Sequence, residues 1–141
     1  MKVAFYKGHT RLFNKLVSWY LRGPYSHCEL IFETTDEGVS VCASSSFRDG
    51  GVRFKHMVLD PDHWDVIDVE GDRVYAMRWL VEHEGDGYDI FGLIGFIWRR
   101  QSDDKHKWFC NEAVLAMLGR NDPYRFDPMS TFACLSPQEV V

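Results

Sequence analysis

Apolar and polar residues follow different rhythms along this chain, and the changes of rhythm divide it into elements. Residues 2–6, KVAFY, form a short apolar run that predicts a strand. In TRLFNKLVSWYLRG, residues 10–23, Leu12, Leu16 and Trp19/Tyr20 recur at helical spacing. Thr10 stands at the cap and Gly23-Pro24 stops the run, so a helix is predicted there. SHCELIFE and VSVCASSS flank TTDEG, a turn signal, and together they predict an antiparallel hairpin. GGVRFKHM and WDVIDV predict two more strands, parted by the polar DPDH. After EGD the rhythm changes. RVYAMRWLVEHEG is helical by the spacing of Val74, Met77 and Val81, with Gly85 and Gly87 at its end. YDIFGLIGFIW predicts a short, almost wholly apolar helix, and RRQSDDKHK a charged loop. NEAVLAMLG predicts a helix with Gly119 at the stop position. The tail, STFACLSPQEVV, reads as extended and then one helical turn capped by Ser136.

These elements predict an α+β fold: an N-terminal helix, a small antiparallel sheet packed against helices, then a helical half. With 141 residues and no repeat, linker or low-complexity segment, residues 1–141 are expected to form one domain. A hydrophobic fraction of 45% and an aromatic fraction of 15% suit a packed core rather than a disordered chain. The net charge of −5 leaves no basic footprint for nucleic acid. No apolar run approaches the roughly 20 residues that span a bilayer, so no integral membrane segment is expected. MKVAFYKGH lacks the apolar core of about 7–15 residues that marks a signal peptide. Cys28, Cys42, Cys110 and Cys134 are too few and too irregular for a disulfide framework, which predicts reduced thiols and a cytoplasmic protein. The pattern carries no signal for oligomeric state.

Two residues stand out chemically. Cys110 falls at the first turn of a predicted helix, where unpaired backbone N–H groups and the helix dipole favour a thiolate and can receive an oxyanion. Its plain alternative is a small buried hydrophobe in a core helix. A nucleophile also needs a base. His27 opens an apolar strand directly after GPYS, with His27, Glu29 and Ile31 on one face and Cys28, Leu30 and Phe32 on the other. Its plain alternative is a hydrogen-bonded structural histidine.

YSHCELIF followed by VCASSS and GGVRF resembles the histidine strand and the next strand of NlpC-type papain-fold cysteine hydrolases. YDIFGLIGF with KWFCNEAV similarly resembles their tyrosine segment and cysteine-bearing helix start. Here the histidine precedes the cysteine. That inverted order resembles the circularly permuted branch, with its YiiX/YaeF/YebB-like bacterial proteins, related phage proteins and the lecithin-retinol acyltransferase group. The resemblance runs from about Tyr25 to Leu118. It implies a papain-like permuted fold, with Cys110 as nucleophile, His27 as general base and Tyr88 lining the site. It also matches Glu112 to a family glutamate, although a carboxylate in a first helical turn is explained by the dipole alone.

Two positions depart from the family pattern. Asn111 stands where serine is usual after the cysteine. The residue expected to orient the imidazole aligns with Cys42, a weak acceptor. Ser44 and Glu29 are the substitutes within reach. Trp108 and Phe109 are expected to wall the substrate cleft.

The implied activity is hydrolysis of an amide or ester, in a cell-wall peptide, another peptide or a lipid ester, through an acyl-enzyme and without a cofactor. An acyltransferase of the same fold, or a catalytically silent binding or accessory protein of a bacterium or phage, are the alternatives. The phage case would place the protein in an infected cell or a virion. Metal binding is not expected. His27 and Cys28 point to opposite faces of their strand, and no CxxC or HxxxH spacing occurs. Asp60, Asp62 and Asp65 lack the glycine and terminal glutamate of a calcium loop. GDGY is too short for a phosphate loop. Arg99, Arg100, Lys105 and Lys107 are interrupted by Asp103 and Asp104 and read as a solvated loop.

Overall fold

The computed structural model describes residues 1–7, 23–89, 106–121 and 123–136. Its centre is one seven-stranded curled sheet in the order β5-β1-β2-β3-β4-β6-β7. The strands are β1 Lys2–Tyr6, β2 His27–Thr34, β3 Val39–Ser46, β4 Gly51–Val58, β5 Trp64–Asp68, β6 Gly87–Tyr88 and β7 Lys107–Trp108. Strands β5 through β6 pair antiparallel to their neighbours, and β6 pairs with β7 in parallel. The predicted hairpin is present: Leu30 faces Ala43 and Ile31 faces Cys42 across β2 and β3, with a bulge between Ile31 and Glu33. The turn at its tip relies on Gly38, whose φ of 82° is the left-handed conformation that glycine adopts without a Cβ clash.

Among the described residues three short helices accompany the sheet: α1 Arg73–His83, α2 Cys110–Met117 and α3 Pro128–Leu135. The expected α+β papain-like arrangement, a small sheet packed against a helical half, is therefore corrected to a sheet-dominated half-barrel. The chain returns to the sheet where helix was expected. Tyr88, read as the start of an apolar helix, lies in β6, and Lys107–Trp108 adds β7 just before α2. The helix expected over 10–23 and most of the one expected over 88–98 fall outside the described residues, as does most of the charged loop over 99–107.

The sheet's two faces differ. On one, Val3, Phe5, Cys28, Leu30, Phe32, Val41 and Ala43 form the main core with Cys110, Ala113, Val114, Leu115 and Met117 of α2. Helix α2 packs across β2 and β3 and touches α1 and α3. The other face has a smaller apolar cluster of Ala4, Ile31 and Cys42. Beside it stand His27 and Glu29, where the strand's alternation places them.

Two helices differ from expectation in detail. Helix α1 buries Ala76, Trp79 and Leu80, while Val74 and Val81 are 68% and 70% exposed. The inward stripe is set by the large indole at i, i+3 and i+4 spacing, not by the valines. The tail is helical earlier than its pattern suggested. Asp127 accepts the Ser130 N–H at 2.8 Å, the Ser130 hydroxyl accepts the Asp127 N–H at 2.9 Å, and Pro128 occupies the first turn. Ser136 is the C-cap of α3, and the helical turn expected after it lies outside the described residues. No helix among the described residues is long and apolar enough to cross a membrane.

Candidate active site

Helix α2 begins with Cys110 because β7 and its neighbours hold the residues before it. Ser45 of β3 donates its hydroxyl to the Trp108 carbonyl at 2.6 Å. The Trp108 indole N–H donates to Asp86 at 3.0 Å, and its ring meets Trp79 edge-on at 4.8 Å between centroids. Phe109 is the N-cap and offers no capping side chain; the Glu112 carboxylate reaches back to its N–H at 2.8 Å. The first-turn N–H groups are thus left without a side-chain cap beside the sulfur, where an oxyanion needs donors.

The structure brings Cys110 and His27 together. The thiol and the imidazole are hydrogen-bonded. The other side of the ring is taken by Glu29, whose Oε1 lies 2.8 Å from His27 Nε2. That leaves Nδ1 for the sulfur. Glu29 is 1% exposed and is held by Arg53 of β4, which donates Nη1–H to Oε2 at 2.7 Å and Nη2–H to Oε1. Arg53 also donates Nε–H to Asp49 at 2.8 Å, and Lys55 reaches the same carboxylate at 3.1 Å. Charges therefore alternate in sign from Cys110 to Lys55.

This alternation sets the protonation states. Cys110 is held well below the ordinary thiol range by the hydrogen bond from the Cys28 thiol and by His27, against the cost of its burial. Burial would lower His27, but its bonds to Cys110 and Glu29 raise it to about 10. Burial would raise Glu29, but Arg53 and His27 bring it down to about 2. At neutral pH the group rests as thiolate, imidazolium, carboxylate and guanidinium. Glu112, close to Asp89 and Cys110, is raised chiefly by burial.

His27 also faces solvent. It lines an open cleft of about 550 Å³ together with Tyr6, Ser26, Phe47, Trp64 and Tyr88. Arg48, Asp49, Arg53 and Lys55 give the cleft a polar wall, and Met57 adds an apolar one. The Ser26 hydroxyl, buried at the edge of the cleft, has no hydrogen-bond partner among the described residues. Trp64 stands edge-on to His27, 6.3 Å between ring centroids. Cys110 itself is 1% exposed. Between it and the cleft stand His27 and Tyr88, whose hydroxyl is raised by burial and by the Cys110 charge.

The remaining expected residues fall elsewhere. Cys42 sits in the small cluster with Ala4 and Ile31, and burial pushes its thiol up to about 12. The Ser44 hydroxyl donates to the Cys28 carbonyl at 2.7 Å. Glu29, two residues along the same strand, is the residue that holds the imidazole. Tyr88 lines the cleft, and Trp108 packs on Trp79 and His83.

Sequence reasoning missed Arg53, Trp64 and the thiol of Cys28. One signal was available. A lone anion in CELIF and a lone cation in GVRF, each within an apolar strand, invite pairing because neither charge is stable buried alone.

No protein-family model matches this sequence, and no curated protein matches it.

Proposed function

We propose that this chain is a cysteine hydrolase that cleaves an amide or ester, and that it is a relative of the circularly permuted NlpC-like hydrolases. The observation that carries this is the contact series from Cys110 to His27 to Glu29, with the histidine preceding the cysteine in the chain. The thiolate attacks the substrate carbonyl and the α2 N–H groups receive the oxyanion. His27, already protonated, delivers its proton to the leaving amine or alcohol. The neutral imidazole then activates water, and hydrolysis of the thioester restores the ion pair. Glu29 positions the ring and stabilises its charged form, as a carboxylate does in related triads. The cleft's mixture of aromatic and charged walls suits a substrate with both polar and apolar parts, such as a peptide, another amide or a lipid ester.

The test is acyl-enzyme trapping with a series of p-nitrophenyl esters, read by product release and intact mass. The expected result is a burst of p-nitrophenol and an acyl adduct on Cys110, both lost in Cys110→Ala and His27→Ala. Turnover equal in the wild type and Cys110→Ala would overturn the proposal.

A second reading is a domain that binds in this cleft without cleaving. The 1% exposure of Cys110 favours it. In that case the same experiment gives no adduct with any ester.

A further inference from the structure

Cys28 has no part in the hydrolytic cycle, yet its thiol is hydrogen-bonded to Cys110. Both cysteines are free and buried in the same core cluster, Cys28 projecting from β2 and Cys110 from the start of α2. The backbone of Cys28 also bonds to the Cys110 sulfur, so the two are pinned at the chain as well as at the thiol. The other two thiols are placed differently. Cys42 belongs to the cluster on the opposite face of the sheet, and Cys134 is exposed on α3.

We propose that Cys28 is the resolving thiol of Cys110, so that a peroxide converts the pair into a Cys28–Cys110 disulfide that a reducing thiol reverses. The inference rests on reading Cys110 as a reactive thiolate, and not on hydrolysis of any substrate. Hydrogen peroxide is close to water in size, so it asks for the smallest opening at Cys110, which is 1% exposed behind the cleft-lining His27. A thiolate is the form that peroxide oxidises, and a neighbouring thiol traps the sulfenic acid before it is oxidised further.

The steps balance. The Cys110 thiolate attacks one peroxide oxygen; an S–O bond forms and the O–O bond breaks. The leaving hydroxide takes the His27 proton and departs as water. Cys110 is then a sulfenic acid and His27 is neutral. The Cys28 sulfur then attacks the Cys110 sulfur. The S–S bond forms, the S–O bond breaks, and the leaving hydroxide takes the Cys28 thiol proton and departs as water. Two thiols and one peroxide give one disulfide and two waters. Each sulfur gives up one electron, and the peroxide gains two.

The experiment treats the reduced full chain with increasing hydrogen peroxide, blocks remaining thiols with N-ethylmaleimide, and maps peptides by mass. The wild type is expected to lose two of its four thiols, yield a Cys28–Cys110 linked pair and recover fully with dithiothreitol. Cys28→Ser is expected to give no linked pair and to accumulate Cys110 sulfinic acid. Cys28→Ala, with circular dichroism on both variants, separates this outcome from misfolding. Three wild-type results would each overturn the proposal: Cys110 sulfinic acid beside a free Cys28, a disulfide that uses Cys42 or Cys134, or a Cys110 inert to peroxide. Failure of the hydrolase reading looks different, because a linked pair can form in a protein that cleaves no ester.

Discussion

His27 Nε2 lies 2.8 Å from Glu29 Oε1, two residues along one strand, so β2 supplies both the imidazole and the carboxylate that holds it. Strand alternation puts i and i+2 on one face at a fixed separation, and the pairing therefore needs no second element to set its geometry. The ring is left with one nitrogen for Cys110.

Replacing that carboxylate by an amide keeps the shape and removes the charge. Glu29→Gln is expected to lower kcat/KM roughly 10²–10⁴-fold, the scale of misdirected proton transfer, with KM nearly unchanged. The alkaline limb of the pH–rate profile is expected to move to lower pH, because the imidazolium loses the anion that helps to raise it. Steady-state kinetics across pH check this. An unchanged profile with a uniformly lower rate would mean that Glu29 acts only on folding.

Arg53 is the counter-charge that makes a buried Glu29 tolerable. Arg53→Met is expected to destabilise the protein by about 3–5 kcal/mol, the usual cost of leaving one member of a buried ion pair alone. Glu29→Gln combined with Arg53→Met is expected to regain much of that loss, since no uncompensated carboxylate remains. Urea denaturation of the single and double variants measures both effects.

The two central groups also predict how stability depends on pH. Glu29 is depressed from its ordinary value of 4.5 to about 2, so its contribution is present above about pH 4.5 and is lost as pH falls towards 2. His27 is raised from 6.5 to about 10, so its contribution is complete below about pH 6.5 and is lost as pH rises through 10. The His27→Ala variant is expected to lose the alkaline slope attributable to this group. Thermal melts between pH 3 and pH 10.5 compare the two proteins.

How much of this was legible beforehand depended on distance along the chain. The strand around His27 was readable because apolar alternation over SHCELIFE fixes which side chains share a face. The helix start at Cys110 was readable from the apolar run that follows it and from Gly119, whose φ of 69° stops it. Arg53 was not readable as a partner of Glu29, because the pairing depends on β4 lying beyond β3 and on a register set by hydrogen bonds across strands. The sheet's extent was underestimated for a related reason. β6 and β7 are two residues each, too short to show any alternation; β6 exists because β4 offers it an edge, and β7 because β6 does. Gly51 makes that edge approachable: a Cβ there would stand 1.8 Å from the Asp86 carbonyl oxygen, and its φ of 143° favours glycine. The tail helix is not legible in STFACLSPQEVV alone, because the Asp127-Pro128 start that caps it lies just before that run.

The most direct measurement of the central claim is the rate of alkylation of each cysteine by iodoacetamide as a function of pH, with exposed Cys134 as the internal reference. A thiol with an ordinary pKa of about 8.5 reacts roughly ten times faster for each pH unit gained below that value. The account predicts that Cys110 labels faster than Cys134 at pH 6, with a rate that rises less steeply towards pH 8, and that His27→Ala slows the labelling at pH 6 and steepens that rise. A Cys110 that labels more slowly than Cys134 at every pH, or whose rate ignores the loss of His27, would contradict it.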